Sequence, residues 1–247
     1  MTSLQTRFLG FDPDLVDYRE AWETQRSLHA QILDGQGEST LLLLEHADVY
    51  TAGKRTEPED LPADGTPVVN VDRGGKLTWH GRGQLVGYPI LHLRDRSLVK
   101  DYVCTLEKVL IKVLAEEYGI QGSRVEGRSG VWLTAEQTGA PVDQKIAAIG
   151  IRVHRSVTMH GFSLNCSNEL SPFGNIIPCG ISDAGTTSIS EQLGRTVTPA
   201  AAAPLIAQEL QAVLPRYLTS GADTAGPDTS DLLSACTLSA PKEEVSR

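Results

Sequence analysis

The chain is short of cysteine, of long apolar runs and of positive charge, and each shortage excludes a class of protein. Four cysteines in 247 residues are too few for a disulfide scaffold. Cys104, Cys166, Cys179 and Cys236 lie 62, 13 and 57 positions apart, so no C-x-x-C pair exists. With no H-E-x-x-H and no close His/Cys grouping, the common zinc signatures are absent and no metal is expected. A cysteine that matters here matters singly, as a nucleophile. The longest apolar run, Leu41 to Leu44, is far too short to span a bilayer. Met1 to Arg7 lack the apolar stretch of a signal peptide, so a soluble cytoplasmic protein with no membrane association is expected. Lysine and arginine number 22 against 31 acidic residues, a formal charge of −9. That balance argues against a nucleic-acid binder working through broad positive potential.

What is present is a globular composition, 40% hydrophobic and 21% charged, in a chain long enough to bury a sizeable core. Apolar spacing predicts a helix from Asp12-Pro13-Asp14 to about Asp34, closed by Gly35. A second helix is expected from an N-cap at Ser97 to Tyr118, closed by Gly119. Strands are expected at residues 40–46, 68–71, 85–93, 131–134, 146–153 and 157–164. Pro89 marks its run as an edge strand or the place of a bulge. Residues 52–66 and 165–187 read as irregular, followed by helices at 188–193 and 199–218. This irregular alternation predicts one α/β domain over residues 1–218, a mixed β-sheet with flanking helices. Residues 219–247, rich in Ser, Thr, Asp, Gly, Pro and Ala, read as a disordered tail.

Several familiar motifs fail. Gly81 to Gly87 is spaced G-x-G-x-x-x-G and precedes an extended run, so no helix N-terminus is there to receive a pyrophosphate. There is no G-x-x-x-x-G-K-[ST], and Gly180 to Gly185 misses the G-x-S-x-G elbow by one residue. Two features rise above background. Arg73 to Gln84 holds four glycines, two arginines, a lysine and a histidine, a density that lets backbone approach a ligand closely. Pro178-Cys179-Gly180 sits in an irregular segment, where a cysteine is fixed in direction and accessible, as a nucleophile requires. Cys104, by contrast, falls inside a predicted helix, and Cys166 stands just past the end of a predicted strand. Lys145 opens a strand, where a solvated lysine is ordinary, and His80 and His160 are as readily structural as catalytic.

Asp72-Arg-Gly-Gly-Lys-Leu-Thr-Trp-His-Gly-Arg-Gly-Gln-Leu-Val-Gly-Tyr-Pro-Ile90 resembles the signature of the lipoyl(octanoyl) transferase family, also called lipoate–protein ligase B. Lys145 to Gly150, His160 to Asn165 and Pro172 to Ile181 are similar to its later blocks, in the family's order. The resemblance implies transfer of an octanoyl group from acyl carrier protein to one lysine of a lipoyl domain, the first step of endogenous protein lipoylation. The acceptors would be the glycine-cleavage H protein and 2-oxoacid dehydrogenase E2 subunits. It implies Cys179 as the acyl-thioester nucleophile and Lys145 as its basic partner. The binding segments carried over are Arg73, Gly74, Gly75, Lys76, Leu77, Thr78, Trp79 and His80, then Ala148, Ile149 and Gly150, and Gly161, Phe162 and Ser163. The implied fold is the catalytic domain shared with biotin and lipoate protein ligases. One departure is visible: Arg82 stands where the family usually has proline, which loosens the loop and adds charge.

The chemistry is self-consistent. A thioester donor is already activated and its conversion to an amide runs downhill, so neither ATP nor any other cofactor is expected. A thiol is mostly protonated at neutral pH, and a nearby lysine can take its proton and stabilise the anion. An acyl slot is expected from Leu77, Trp79, Ile149 and Phe162. The segment from Asp72 to His160 holds 13 basic and 9 acidic residues against 9 and 22 in the rest. A local basic face toward acidic partner proteins is therefore expected, with Arg73, Lys76, Arg82, Arg152 and Arg155 as candidates. An ATP-dependent ligase on the same fold, or a non-catalytic carrier-binding module, is the alternative; neither needs Cys179.

Overall fold

The computed structural model describes residues 4–62, 66–176 and 183–218. Strand β1 (Gln5–Gly10) runs parallel to β2 (Thr40–Leu44), whose leucines alternate between two cores. Leu41 and Leu43 enter one and Leu42 and Leu44 the other, as the two-residue period of a strand covered on both faces requires. The sheet continues through β6 (Gln84–Ile90), β10 (Val157–Asn165), β9 (Gln144–His154), β8 (Arg128–Leu133) and β7 (Ser123–Val125). Short β11 (Gly185–Thr186) pairs in parallel with the start of β9. A smaller sheet sets β3 (Val49–Ala52) between β4 (Val68–Asn70) and β5 (Leu77–His80).

Helix α1 (Tyr18–Leu33) covers one face of the large sheet through Ala21, Leu28 and Ile32. Helices α2 (Val99–Tyr118) and α5 (Pro199–Val213) cover the other through Leu106, Leu110, Ile206 and Leu210, with α3 (Ala135–Thr138) and α4 (Ile189–Leu193) as single turns at the margin. The small sheet has its own cluster of Tyr50, Ala52, Leu77, Trp79 and Phe173. The fold is thus a mixed sheet with flanking helices, and no helix among the described residues is long and apolar enough to cross a membrane.

Two expectations change, and one strand is added. Helix α1 begins at Tyr18 rather than near Asp12, because the Asp17 carboxylate accepts from the backbone N–H of Arg19 at 2.8 Å and Glu20 at 3.2 Å and sets the cap there. Residues Gln5–Gly10, which carry no strong alternation, form a strand by pairing with β2. Pro89 is in a central strand, not an edge. It sits where the ladder to β10 lapses, between the Gly87–Phe162 pair and the Thr158 N–H bond to the Leu91 carbonyl, so its missing N–H costs the ladder nothing. The predicted tail, 219–247, lies outside the described residues.

Candidate active site

Two segments separated in sequence become one wall by strand register. Gly150, Ile149 and Ala148 of β9 stand opposite Gly161, Phe162 and Ser163 of β10. All six line a cavity of about 270 Å³. The Arg73–Lys76 turn closes over it, tied to β9 by the Gly74 N–H bond to the Ile151 carbonyl at 3.0 Å. Gly75 makes the turn possible with a φ of +86°. Gly150 allows its approach, since a Cβ there would lie 3.2 Å from Cδ of Arg73.

Arg73 is buried and acts as a clamp rather than a surface charge. One guanidinium nitrogen donates to the carbonyls of Gly74 and Lys76, at 3.0 and 2.8 Å. The other donates to the Thr51 carbonyl and hydroxyl, at 2.7 and 2.9 Å. On β5, Thr78 and His80 face the cavity while Leu77 and Trp79 point into the small-sheet core. The period of a strand decides this. It corrects the expectation that Leu77 and Trp79 line the acyl slot; Ile149 and Phe162 do line the cavity.

Hydrogen-bond polarity fixes the histidines. The Thr187 carbonyl can only accept, so Asn165 Nδ2 donates to it at 2.9 Å. Asn165 Oδ1 then accepts from Gln84 Nε2 at 2.9 Å, and Gln84 Oε1 accepts from His80 Nδ1 at 2.7 Å. His80 is therefore a neutral imidazole with its lone pair on Nε2, its pKa pushed down to about 3 by burial and then by neighbouring His46. His46 Nδ1 donates to the Val16 carbonyl at 2.9 Å, so its Nε2 accepts from the Tyr88 hydroxyl at 2.8 Å. Burial holds His46 at about 4. Tyr18, stacked on His80 with ring centres 6.0 Å apart, hydrogen-bonds Tyr88 and is pushed up to about 12 by its own burial. His160 Nε2 meets Asp72 Oδ1 at 2.9 Å, and Arg152 pairs with the other oxygen. Burial lowers the His160 pKa against the pull of Asp72, whose own pKa falls chiefly through that bond.

Lys145 is 93% buried at the start of β9 and lines the cavity. Among the described residues its ammonium has no hydrogen bond and no ion pair; it lies 4.6 Å from the centre of the Trp132 ring. Cys179 falls at 177–182, outside the described residues. The neighbouring residues are tied to the site: Ile176 packs on the small-sheet cluster, and Asp183 accepts from Arg128 of the cavity wall at 2.6 Å.

The expected basic face is not built as anticipated. Arg73 is internal, Lys76 pairs with Glu57 and Asp60, Arg82 with Asp12, and Arg152 with Asp72. Only Arg155 of the five stays exposed and outside any ion pair among the described residues. Exposed Lys54 and Arg55 stand on the rim instead, their backbone N–H groups bonded to the carbonyls of Arg73 and Gly75, both at 3.1 Å. Sequence reasoning missed Tyr18, His46 and Trp132, which fall outside the quoted motifs, and Tyr88, which lies within the signature but was assigned no role; its place in the apolar run 85–93 was the signal that it would be internal.

Residues 17–211 match the family described as lipoyl protein ligase A/B catalytic domain. The chain is 60% identical over 200 residues to an octanoyltransferase of Renibacterium salmoninarum, covering 81% of this chain and 84% of that one. It is 60% identical over 203 residues to an octanoyltransferase of Leifsonia xyli, covering 82% and 89%. Among solved structures it is similar to a bipartite lipoate protein ligase of Thermoplasma acidophilum, with a TM-score of 0.60 at 12% identity, covering 94% and 91%. That last likeness speaks for the fold alone.

Proposed function

The chain belongs to the lipoyl protein ligase A/B catalytic-domain family, within it to the octanoyltransferases, and on that premise we propose that it carries octanoyl from acyl carrier protein to a lipoyl-domain lysine through a thioester on Cys179. The observation that carries the proposal is Lys145: a buried lysine, unpaired among the described residues, in the wall of a glycine-lined cavity. Lys145 takes the Cys179 proton, and the thiolate attacks the carbonyl carbon of the donor thioester. The carrier's sulfur leaves and takes the proton from Lys145. The ε-amine of the acceptor lysine then attacks the Cys179 thioester. The amide forms, the C–S bond breaks, and the amine's proton returns through Lys145 to the cysteine. No phosphate bond is spent, because thioester to amide is downhill. The acyl chain runs along Ile149 and Phe162, while the glycines of both walls admit it without side-chain obstruction.

The acceptors are lipoyl domains such as those of the glycine-cleavage H protein and 2-oxoacid dehydrogenase E2 subunits, and residues 1–218 act as one catalytic domain in the cytoplasm. Incubation with octanoyl-carrier protein is expected to leave one octanoyl adduct on Cys179 by intact mass. Loss of that adduct in Cys179→Ala supports the mechanism. Its absence in the native chain, or formation of an acyl-adenylate from free octanoate and ATP, overturns it.

A further inference from the structure

A buried lysine whose ammonium donates no hydrogen bond among the described residues must be held by something else. Lys145 of β9 and Trp132 of β8 are cross-strand partners in the register of the two strands. The ammonium lies 4.6 Å from the indole centre, and the ring is 99% buried. Its own Nε1–H donates to the Arg128 carbonyl at 3.1 Å, which fixes the plane of the ring. Resting on the reading that Lys145 serves Cys179, we propose that Trp132 is a positioning residue: its π-face holds the Lys145 ammonium and favours the state in which that lysine carries the thiol proton.

The ring quadrupole attracts a cation and not a neutral amine, so the face is selective between the two protonation states. Among the described residues, the charges around Lys145 leave that role to it. From β8, Arg128 lies 5.7 Å from the centre of the same ring and is already paired with Asp183 at 2.6 Å. From β5, His80 is neutral, and Ser163 of β10 and Thr186 of β11 bring no charge. Asp143, just before β9, accepts from the Ala135 N–H at 2.9 Å. A carboxylate in Trp132's place would hold the ammonium but compete with the thiolate for its protons. An aromatic face holds it and leaves all three N–H groups available.

The test is the pH profile of iodoacetamide alkylation at Cys179, followed on the full chain by peptide mass. Mono-, di- and trifluorinated tryptophan, placed at position 132 by nonsense suppression, weaken the quadrupole with little change of shape. The alkylation midpoint is expected to rise stepwise, by roughly half a unit to one unit across the series. The carrier KM should stay constant while the acylation rate falls. A flat series, with Lys145→Ala still raising the midpoint, overturns the role of Trp132 and leaves the Cys–Lys reading standing. A Lys145→Ala chain whose midpoint does not move overturns that reading, and this inference with it.

Discussion

Replacing Arg73 by lysine keeps the charge and removes the fork, which isolates what its geometry contributes. Two guanidinium nitrogens reach four acceptors, at 2.7 to 3.0 Å, on both sides of the turn. An ammonium is one point on a flexible stem and cannot span from the Thr51 carbonyl to that of Lys76. At least one, and at most two, charge-assisted bonds are lost, each worth about 1.5–3 kcal/mol, and buried carbonyls are left without donors. Arg73→Lys should therefore destabilise the protein by roughly 1.5–6 kcal/mol. With an m-value of about 3 kcal/mol/M, the urea midpoint falls by roughly 0.5–2 M. The turn over the cavity loosens with it, so the donor KM rises. Arg55→Met, on the exposed rim, should leave the urea midpoint where it is. If Arg73→Lys unfolds within about 0.5 kcal/mol of the native chain, the clamp assigned to Arg73 is wrong.

Other perturbations separate packing from chemistry. A Cβ at Gly87 would lie 2.2 Å from Cζ of Phe162, so Gly87→Ala should displace that ring and cost about 1–3 kcal/mol, read by thermal melting. Leu77→Ala should cost about 2–5 kcal/mol by deleting small-sheet core, yet leave acyl chain-length preference unchanged because Leu77 points away from the cavity; a changed preference would return it to the slot. His46 and His80 titrate at about 4 and about 3 when folded, below the ordinary 6.5 of the unfolded chain. The unfolded state therefore binds more protons between pH 6.5 and those values. Stability is complete above that window and falls on acidification, by about 1.4 kcal/mol per pH unit for each histidine. Denaturant midpoints measured from pH 7 to 5 should fall less steeply in His80→Gln. Reversing Lys54 and Arg55 to glutamate should raise the KM for a carrier-bound donor and weaken its salt dependence, whereas reversing Arg82 should not.

Much of the framework was legible because local rules and tertiary context agreed. Gly119 closes α2 with a φ of +67°, the left-handed cap that glycine adopts without strain. The four leucines of β2 read as a buried strand and are one. Where the two disagreed, pairing decided. Gln5–Gly10 has little strand character of its own and becomes a strand because β2 offers it a free ladder. Pro89 reads as the sign of an edge strand or of a bulge, and only the pairing shows which: it stands in the middle of the sheet, at a lapse in the ladder.

By itself the sequence determined the class of fold, the absence of familiar nucleotide and zinc motifs, and the segments from which the cavity is made. Those follow from period, glycine density and motif order, which are properties of the chain. Which side chains face the cavity was decided only in three dimensions. Register set Gly150 opposite Gly161, and strand phase turned Leu77 and Trp79 inward while Thr78 and His80 faced the cavity. Electrostatic roles were later still to emerge. Arg73 became a clamp, four of five presumed surface cations were buried or paired, and His46, Tyr18 and Tyr88 formed a polar chain. Charge and hydrogen bonding depend on distances between residues far apart in sequence, and folding alone supplies those.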